Sequence, residues 1–371
     1  MQGKIATAGS RPAFGGQEVP VTAEAEQDIE TAPAGPGGAG GRARAVSRRA
    51  VRRSLAQQRA ELGRDAQRPT QIPWRGWRSV LHRTVKEMIS DRVSLVSAGC
   101  AFYATLALFP AISMLVSTYG LMFDPVSVEP QLHVLSRLLP PEGFKLIADR
   151  VHLLVSQPTH KLGLGLLIST MLTFWSAATG TKAIISGLNV AYEEVEQRSF
   201  LRFQLTAFLM TLGVIVAAVV GLALLVGLPA IFAFVGLSAY AKNLIGVISW
   251  LLLMGFVVFA LSLLYRFGPC RRRAKWHWVT PGSLLAACLW LIGSALFSLY
   301  VGRIATYDAT YGPLGAVVGV MMWFWVTVLA VLLGAELNAE LELQTAEDST
   351  EGTPKPMGKR GAFVADHVAD D

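Results

Sequence analysis

Thirty-nine consecutive residues, from Phe203 to Ala241, carry no charged side chain. A bilayer core of about 30 Å is crossed by about 20 apolar residues, so a run of this length points to lipid rather than to a soluble core. It is too long for one crossing, and Pro229 divides it into a helix followed by an apolar turn. Five more segments qualify as spans. Val93 to Phe123 is uncharged over 31 residues and contains Pro110. The next runs from Leu162 to about Thr181 and continues as helix past Tyr192; another covers Asn243 to Tyr265. A fifth opens at Thr280-Pro281-Gly282, with Thr280 suited to the N-cap and Pro281 to the first helical position. The last runs from Pro313 to Leu333. The expected fold is all-α, a polytopic membrane bundle of about six transmembrane helices over residues 93–340.

Composition agrees, with 52% hydrophobic and 16% charged residues against about 25% charged in soluble domains. The net charge of +7 does not make the chain a nucleic-acid binder, because nine arginines fall between Arg42 and Arg68. Residues 1–71 read as a disordered cytoplasmic arm, Arg-rich from 42, too polar and Gly/Ala/Pro-rich to offset ordering entropy. The first 70 residues hold no apolar h-region, so the first span is expected to direct insertion. In residues 72–92, Trp77, Leu81, Val85 and Met88 recur at helical spacing while Arg75, Arg78, His82 and Lys86 take other faces. That pattern predicts an interfacial amphipathic helix. Residues 124–161 form an outer insert with a second amphipathic stretch after Pro140-Pro141, and the polar residues 341–371 read as a disordered cytoplasmic tail.

Lys and Arg set the orientation. Segments 72–92, 190–202 and 266–275 hold twelve in 44 residues, against six in 62 for 124–161, 229–242 and 303–312. The first set is expected inside, and an even helix count then places both termini in the cytoplasm.

Catalytic signatures are missing. There is no phosphate-binding G-x-x-x-x-G-K-[ST] loop and no H-E-x-x-H pair, and Cys100, Cys270 and Cys288 show no C-x-x-C spacing. The expectation is no enzyme, no catalytic residue, no cofactor and no metal. Lys182 and Glu336 lie at inner helix ends, where snorkelling accounts for them. Small residues at four-residue spacing, Ser176/Gly180, Ala183/Gly187 and Gly315/Gly319, suit close helix packing, and the last pair suits a homo-oligomer. Tyr307-Asp308-Ala309-Thr310-Tyr311-Gly312-Pro313 is either an aromatic-belt turn or a gate.

Ala101-Phe102-Tyr103-Ala104 through Phe109-Pro110 resembles the YihY / virulence factor BrkB family of bacterial inner-membrane proteins. So does Phe174-Trp175-Ser176-Ala177 through Asn189-Val190-Ala191-Tyr192. The best match runs from Tyr265-Arg266-Phe267-Gly268-Pro269 through Thr280-Pro281-Gly282 and Tyr307 to Gly312, ending at Glu336-Leu337-Asn338. The resemblance covers roughly 75–342 and implies a multi-pass bacterial inner (plasma) membrane protein without a settled activity, historically labelled ribonuclease BN. It singles out Tyr103, Pro110, Trp175, Asn189, Tyr192, Pro269, Pro281, Gly282, Tyr307, Asp308, Tyr311, Gly312, Glu336 and Asn338, with Asp308 where many relatives carry Asn.

The leading expectation is a transporter or flippase-like protein for an amphiphilic envelope component, partnered by membrane lipids whose anionic headgroups meet the basic inner surface. A scaffold recruiting a cytoplasmic partner is the alternative. A ribonuclease is third, because a nuclease needs converging metal ligands or acid–base groups.

Overall fold

The computed structural model describes residues 57, 59–122, 159–224, 239–303 and 314–369. The chain divides into two compact units, Met1–Glu61 with Asp370–Asp371, and Leu62–Ala369. In the first, the described residues 57 and 59–61 are helical. All that follows concerns the second.

Seven long helices build it: α1 Trp74–Ser90, α2 Val93–Met122, α3 Thr159–Ala191, α4 Phe200–Leu222, α5 Ala239–Phe267, α6 Trp276–Arg303 and α7 Leu314–Leu343. A one-turn helix, α8 Phe363–Asp366, follows. Among the described residues the one β-type pairing is the isolated bridge between Ala274 and Thr350.

Stretches of four helices are long and apolar enough to cross a bilayer: Phe200–Gly221, Gly246–Phe267, Trp276–Gly302 and Val317–Leu343. Within them only 11–22% of residues are covered by protein, so the remaining apolar side chains need lipid as solvent. Leu205, Phe208, Trp250, Leu251, Ile292 and Leu296 all face outward. This is a membrane protein.

The buried core lies toward the end of the bundle that carries the α3–α4 and α5–α6 connections. There Val93 and Cys100 of α2, Leu188 of α3, Tyr265 of α5, Ala286 of α6 and Leu332 and Ala335 of α7 pack together. The central element is α7, which lies against α1, α2, α3, α6 and α8. Small residues let it do so: a Cβ on Gly187 would sit 3.1 Å from Leu332, and one on Gly334 would meet the Tyr265 hydroxyl and the Ala286 methyl, the latter at 2.8 Å. Gly319 is different, with nothing near the place of its Cβ.

Several sequence expectations change. The α6 helix starts at Trp276, not at Thr280, whose hydroxyl donates back to the Trp276 carbonyl at 2.8 Å. Pro281 then lies inside the helix, where its missing N–H removes an intrahelical bond. The α7 helix continues ten residues past Leu333, because Glu340 and Glu342 find partners in protein. Glu336 does not snorkel; it is 2% exposed. In α1, Trp77 and Met88 turn toward protein whereas Leu81 and Val85 are exposed together with Trp74 and Ile89. The packed face is Gly76, Val80 and Thr84.

The expected disordered boundaries also move. Residues 62–71 are folded, with Arg64, Ala66 and Pro69 buried. The segment 344–369 is an ordered strap, with Gln344, Ser349, Thr350, Val364 and Ala365 at most 1% exposed. Polar matching holds it: the Arg360 guanidinium donates to the carbonyls of Ala346, Glu347, Lys355 and Ala365 at 2.6–3.2 Å. The bulk of the arm, most of the outer insert, the turn at Pro229 and the 304–313 connection fall outside the described residues.

Candidate functional site

The sequence Tyr265-Arg266-Phe267-Gly268-Pro269-Cys270 ends α5 abruptly. A Cβ on Gly268 would sit 2.6 Å from the Leu264 carbonyl oxygen and 2.7 Å from Leu188, so glycine is needed there, and Pro269 stops the helix. The loop is then tied to the end of α3 by one side chain. Asn189 Oδ1 accepts the Cys270 N–H at 2.7 Å while its amide donates to Glu196 at 3.0 Å. Arg198 closes the same corner, donating to the Gly268 carbonyl at 2.7 Å and pairing with Glu196 at 3.2 Å.

This corner frames a cleft of about 390 Å³ lined by Arg198, Arg266, Arg271, Arg272, Arg273 and Phe267. The five guanidinium groups are not equally available. Arg271 is committed to Glu342 and stacks 4.9 Å from the Tyr192 ring centre. Burial alone would lower the Arg271 pKa, but the Glu342 carboxylate outweighs it and the net direction is up. Arg266 bonds the Ala274 carbonyl, pairs with Glu351 at 2.8 Å and stacks on Trp276. Arg272 Nη1 is buried without a hydrogen-bond partner, and Arg273 is exposed, lying 4.7 Å from the Phe267 ring centre. A buried unpaired donor is costly, and Arg266 Nε is a second one in the same cleft, with the exposed Arg273 beside them.

Beside the cleft, α7 carries polar residues on two faces. Asn338 and Glu342, four apart, face the α6 start and the 266–275 loop. The Asn338 amide enters the α6 backbone: Oδ1 accepts the Gly282 N–H at 2.7 Å and Nδ2 donates to the Val279 carbonyl at 3.1 Å. Pro281, which has no N–H, weakens the helix at this point, so a side-chain amide serves where a peptide group would. The Tyr192 ring, fully buried, lies under Arg271, and burial first, then the Glu342 charge, push its phenol above the usual range.

Glu336 and Glu340, also four apart, face α1. Glu340 accepts from Arg83 at 2.5 Å, and Arg83 further bonds Ser79 and Gln344 at 2.8 and 2.7 Å. Glu336 Oε1 has no hydrogen-bond partner. Glu87, Asp91 and Glu193 gather close by, with one carboxylate oxygen from each within 4.8 Å of the others.

Of the residues singled out in the sequence, Asn189, Tyr192, Pro269, Pro281, Gly282, Glu336 and Asn338 therefore converge at one end. Tyr103 and Trp175 do not join them: they are 39% and 74% exposed. Pro110 lies within α2, and Tyr307, Asp308, Tyr311 and Gly312 fall outside the described residues. Sequence reasoning missed Arg83, Arg271, Arg272 and Glu342. The i, i+4 spacing of Glu336/Glu340 and Asn338/Glu342 was the available signal.

The model of the family described as Virulence factor BrkB matches residues 84–358. The chain belongs to the BrkB family. The match takes in the α5–α6 loop, the α7 polar faces and the first part of the strap. Similar BrkB-like relatives include the putative ribonuclease-like protein YfkH of Bacillus subtilis, 31% identical over 66% of this chain and 88% of that protein. A UPF0761 membrane protein of Tolumonas auensis is 27% identical over 71% of this chain and 83% of its own length. The UPF0761 membrane protein IL2447 of Idiomarina loihiensis is 26% identical over 72% and 94%. No solved structure matches the chain.

Proposed function

We propose that this BrkB-family protein is a non-enzymatic bacterial inner-membrane protein that handles an anionic amphiphile, admitting its headgroup at the arginine-lined cleft. The reading has six transmembrane helices, α2 to α7, with both termini in the cytoplasm. One observation carries it: Arg272 Nη1 is buried without a partner in a cleft of five arginines at the end of α5. An open basic cleft beside apolar, outward-facing helices suits a molecule with a charged head and an acyl tail. Gly319, whose Cβ position is open, suits contact with a second copy.

The test is reconstitution of the full chain into vesicles containing a fluorescent phosphatidylglycerol, with dithionite quenching to follow redistribution between leaflets. Faster redistribution than in protein-free vesicles, reduced several-fold in Arg272→Gln/Arg273→Gln, is expected. Equal rates with and without protein would reject transport of that lipid class. The name of the YfkH relative raises a nuclease reading for this chain; purified protein incubated with RNA and Mg²⁺ or Mn²⁺ is expected to leave the RNA intact.

A further inference from the structure

The cleft at the end of α5 is lined by five guanidinium groups, and among the described residues no aspartate or glutamate lines it. Three of the five are matched by a carboxylate from beside the cleft: Arg198 by Glu196 at 3.2 Å, Arg266 by Glu351 at 2.8 Å and Arg271 by Glu342 at 2.6 Å. Arg272 and Arg273 form no ion pair among the described residues, so two positive charges are left over.

Two N–H donors are left over as well. Arg266 is 5% exposed, and while its other nitrogens bond the Ala274 carbonyl and Glu351, its Nε has no partner. Arg272 Nη1 is buried in the same condition. The strap holds that guanidinium in place: the Arg272 N–H donates to the Gly361 carbonyl at 2.8 Å, and a Cβ on Gly352 would come within 2.9 Å of Nη2. Unmatched buried donors are costly, and two in one basic cleft require an acceptor that serves both.

A phosphodiester headgroup brings one negative charge. A phosphomonoester brings about 1.5 to 2 at pH 7, with three strong acceptor oxygens. The second matches both the uncompensated charge and the paired donors. The cleft also leads toward lipid along α4. Thr206 lines it, and three and seven residues further on the same face Leu209 is 55% exposed and nothing stands where a Cβ on Gly213 would lie.

We propose that the cleft takes a dianionic terminal phosphate, the phosphomonoester end of a lipid, in preference to a phosphodiester headgroup. This rests on the reading of the cleft as the headgroup site and names the headgroup class. Arginines supply forked, charge-assisted bonds to the phosphate oxygens, and the acyl chain follows the open strip of α4. Glu351, whose side chain is 54% exposed, occupies part of the positive field and competes with the ligand for Arg266.

The full-length protein, dye-labelled and in neutral detergent, is titrated with phosphatidic acid, with the matching phosphatidylglycerol and with inorganic phosphate alone, and binding is read by thermophoresis. Wild type is expected to bind phosphatidic acid about tenfold tighter than phosphatidylglycerol. Arg272→Gln should remove that preference, and Arg78→Gln, on the exposed side of α1, should keep it. Glu351→Gln should tighten phosphatidic acid several-fold, and it changes a half-exposed side chain, so it reports even where Arg272→Gln fails to fold. Phosphatidic acid binding far tighter than inorganic phosphate makes the ligand a lipid, whereas equal affinity keeps the terminal phosphate and makes it a free one. Equal affinity for the two lipids, or no gain in Glu351→Gln, would overturn the dianion and leave the headgroup cleft standing. Binding of neither lipid would sink both.

Discussion

Arg271 and Glu342 form a two-pronged ion pair at 3.0 and 2.6 Å, with 2% and 0% of their side chains exposed. It joins the α5–α6 loop to the end of α7, and Ser349 of the strap donates to the same carboxylate. Removing one partner strands the other charge in a dry site, so Arg271→Ala is expected to cost about 3–5 kcal/mol. Arg271→Lys should not restore stability, because an ammonium can neither fork onto the carboxylate nor stack on Tyr192 as a plane. The double change Arg271→Met/Glu342→Leu should be milder than Arg271→Ala. Chemical unfolding in detergent ranks the three.

A second prediction concerns Gly282 and Gly334, which meet backbone to backbone. A Cβ on either would overlap the other's carbonyl oxygen, and one on Gly282 would also sit 2.5 Å from the Asn338 amide. Gly282→Ala and Gly334→Ala should therefore abolish stable membrane protein, whereas Gly319→Ala should leave the monomer unchanged. Yields of detergent-extracted protein and its Tm distinguish these outcomes.

Asp348 supplies an acid-sensitive lock for the strap. Its carboxylate accepts from the Thr350 N–H and hydroxyl at 2.8 and 2.7 Å and from the Lys355 N–H at 2.8 Å. Burial opposes ionisation, but these bonds outweigh it and the pKa is lowered. A lowered carboxyl pKa adds stability above the ordinary value of about 3.9, and that stability is lost as pH falls through the folded value. Proteolysis of 344–369 should accelerate only below about pH 4 in wild type, and Asp348→Asn should show the faster cleavage at neutral pH.

Topology is checked by reporters. The end of the bundle that holds Arg83, Glu194, Arg198, Arg272 and the strap is a single face, tied together by the Arg83–Glu340, Phe363–Glu194 and Lys275–Ser349 bonds. Fusions near Arg198, near Arg272 and at the C-terminus should accordingly all give the same cytoplasmic signal, and fusions near Glu142 and Asp308 the opposite one.

The long helices were legible because lipid selects for uninterrupted apolar runs, and Asn189, Tyr192, Pro281, Gly282 and Asn338, singled out by the family resemblance, lie together at the loop-bearing end. The strap was not legible. Residues such as Glu351-Gly352-Thr353-Pro354-Lys355-Pro356 have no apolar periodicity, and the segment folds by matching carbonyls to one guanidinium and N–H groups to one carboxylate. Thr280 misled for a related reason: its cap signature is real, but Trp276 and Trp278 find packing and stacking partners earlier in the helix. The Glu87, Asp91 and Glu193 group was hidden because tertiary packing, not spacing, assembles it.

The strap leaves the ribosome after all seven long helices, yet it bonds the segment before α1, the α3–α4 connection and the α5–α6 loop. Ala346 bonds Arg64, Phe363 bonds Glu194, Glu351 bonds Arg273, and the Arg272 N–H reaches Gly361. Until the strap emerges, these groups must be served by water, and the Ser349 hydroxyl that completes the Glu342 carboxylate is not yet in place. The apolar helices can enter the bilayer one after another during synthesis, but this face closes only once the strap has followed them. A chain cut short by a premature stop codon would carry its spans into the membrane with that face open, and so present quality-control proteases with a ready mark of incompleteness.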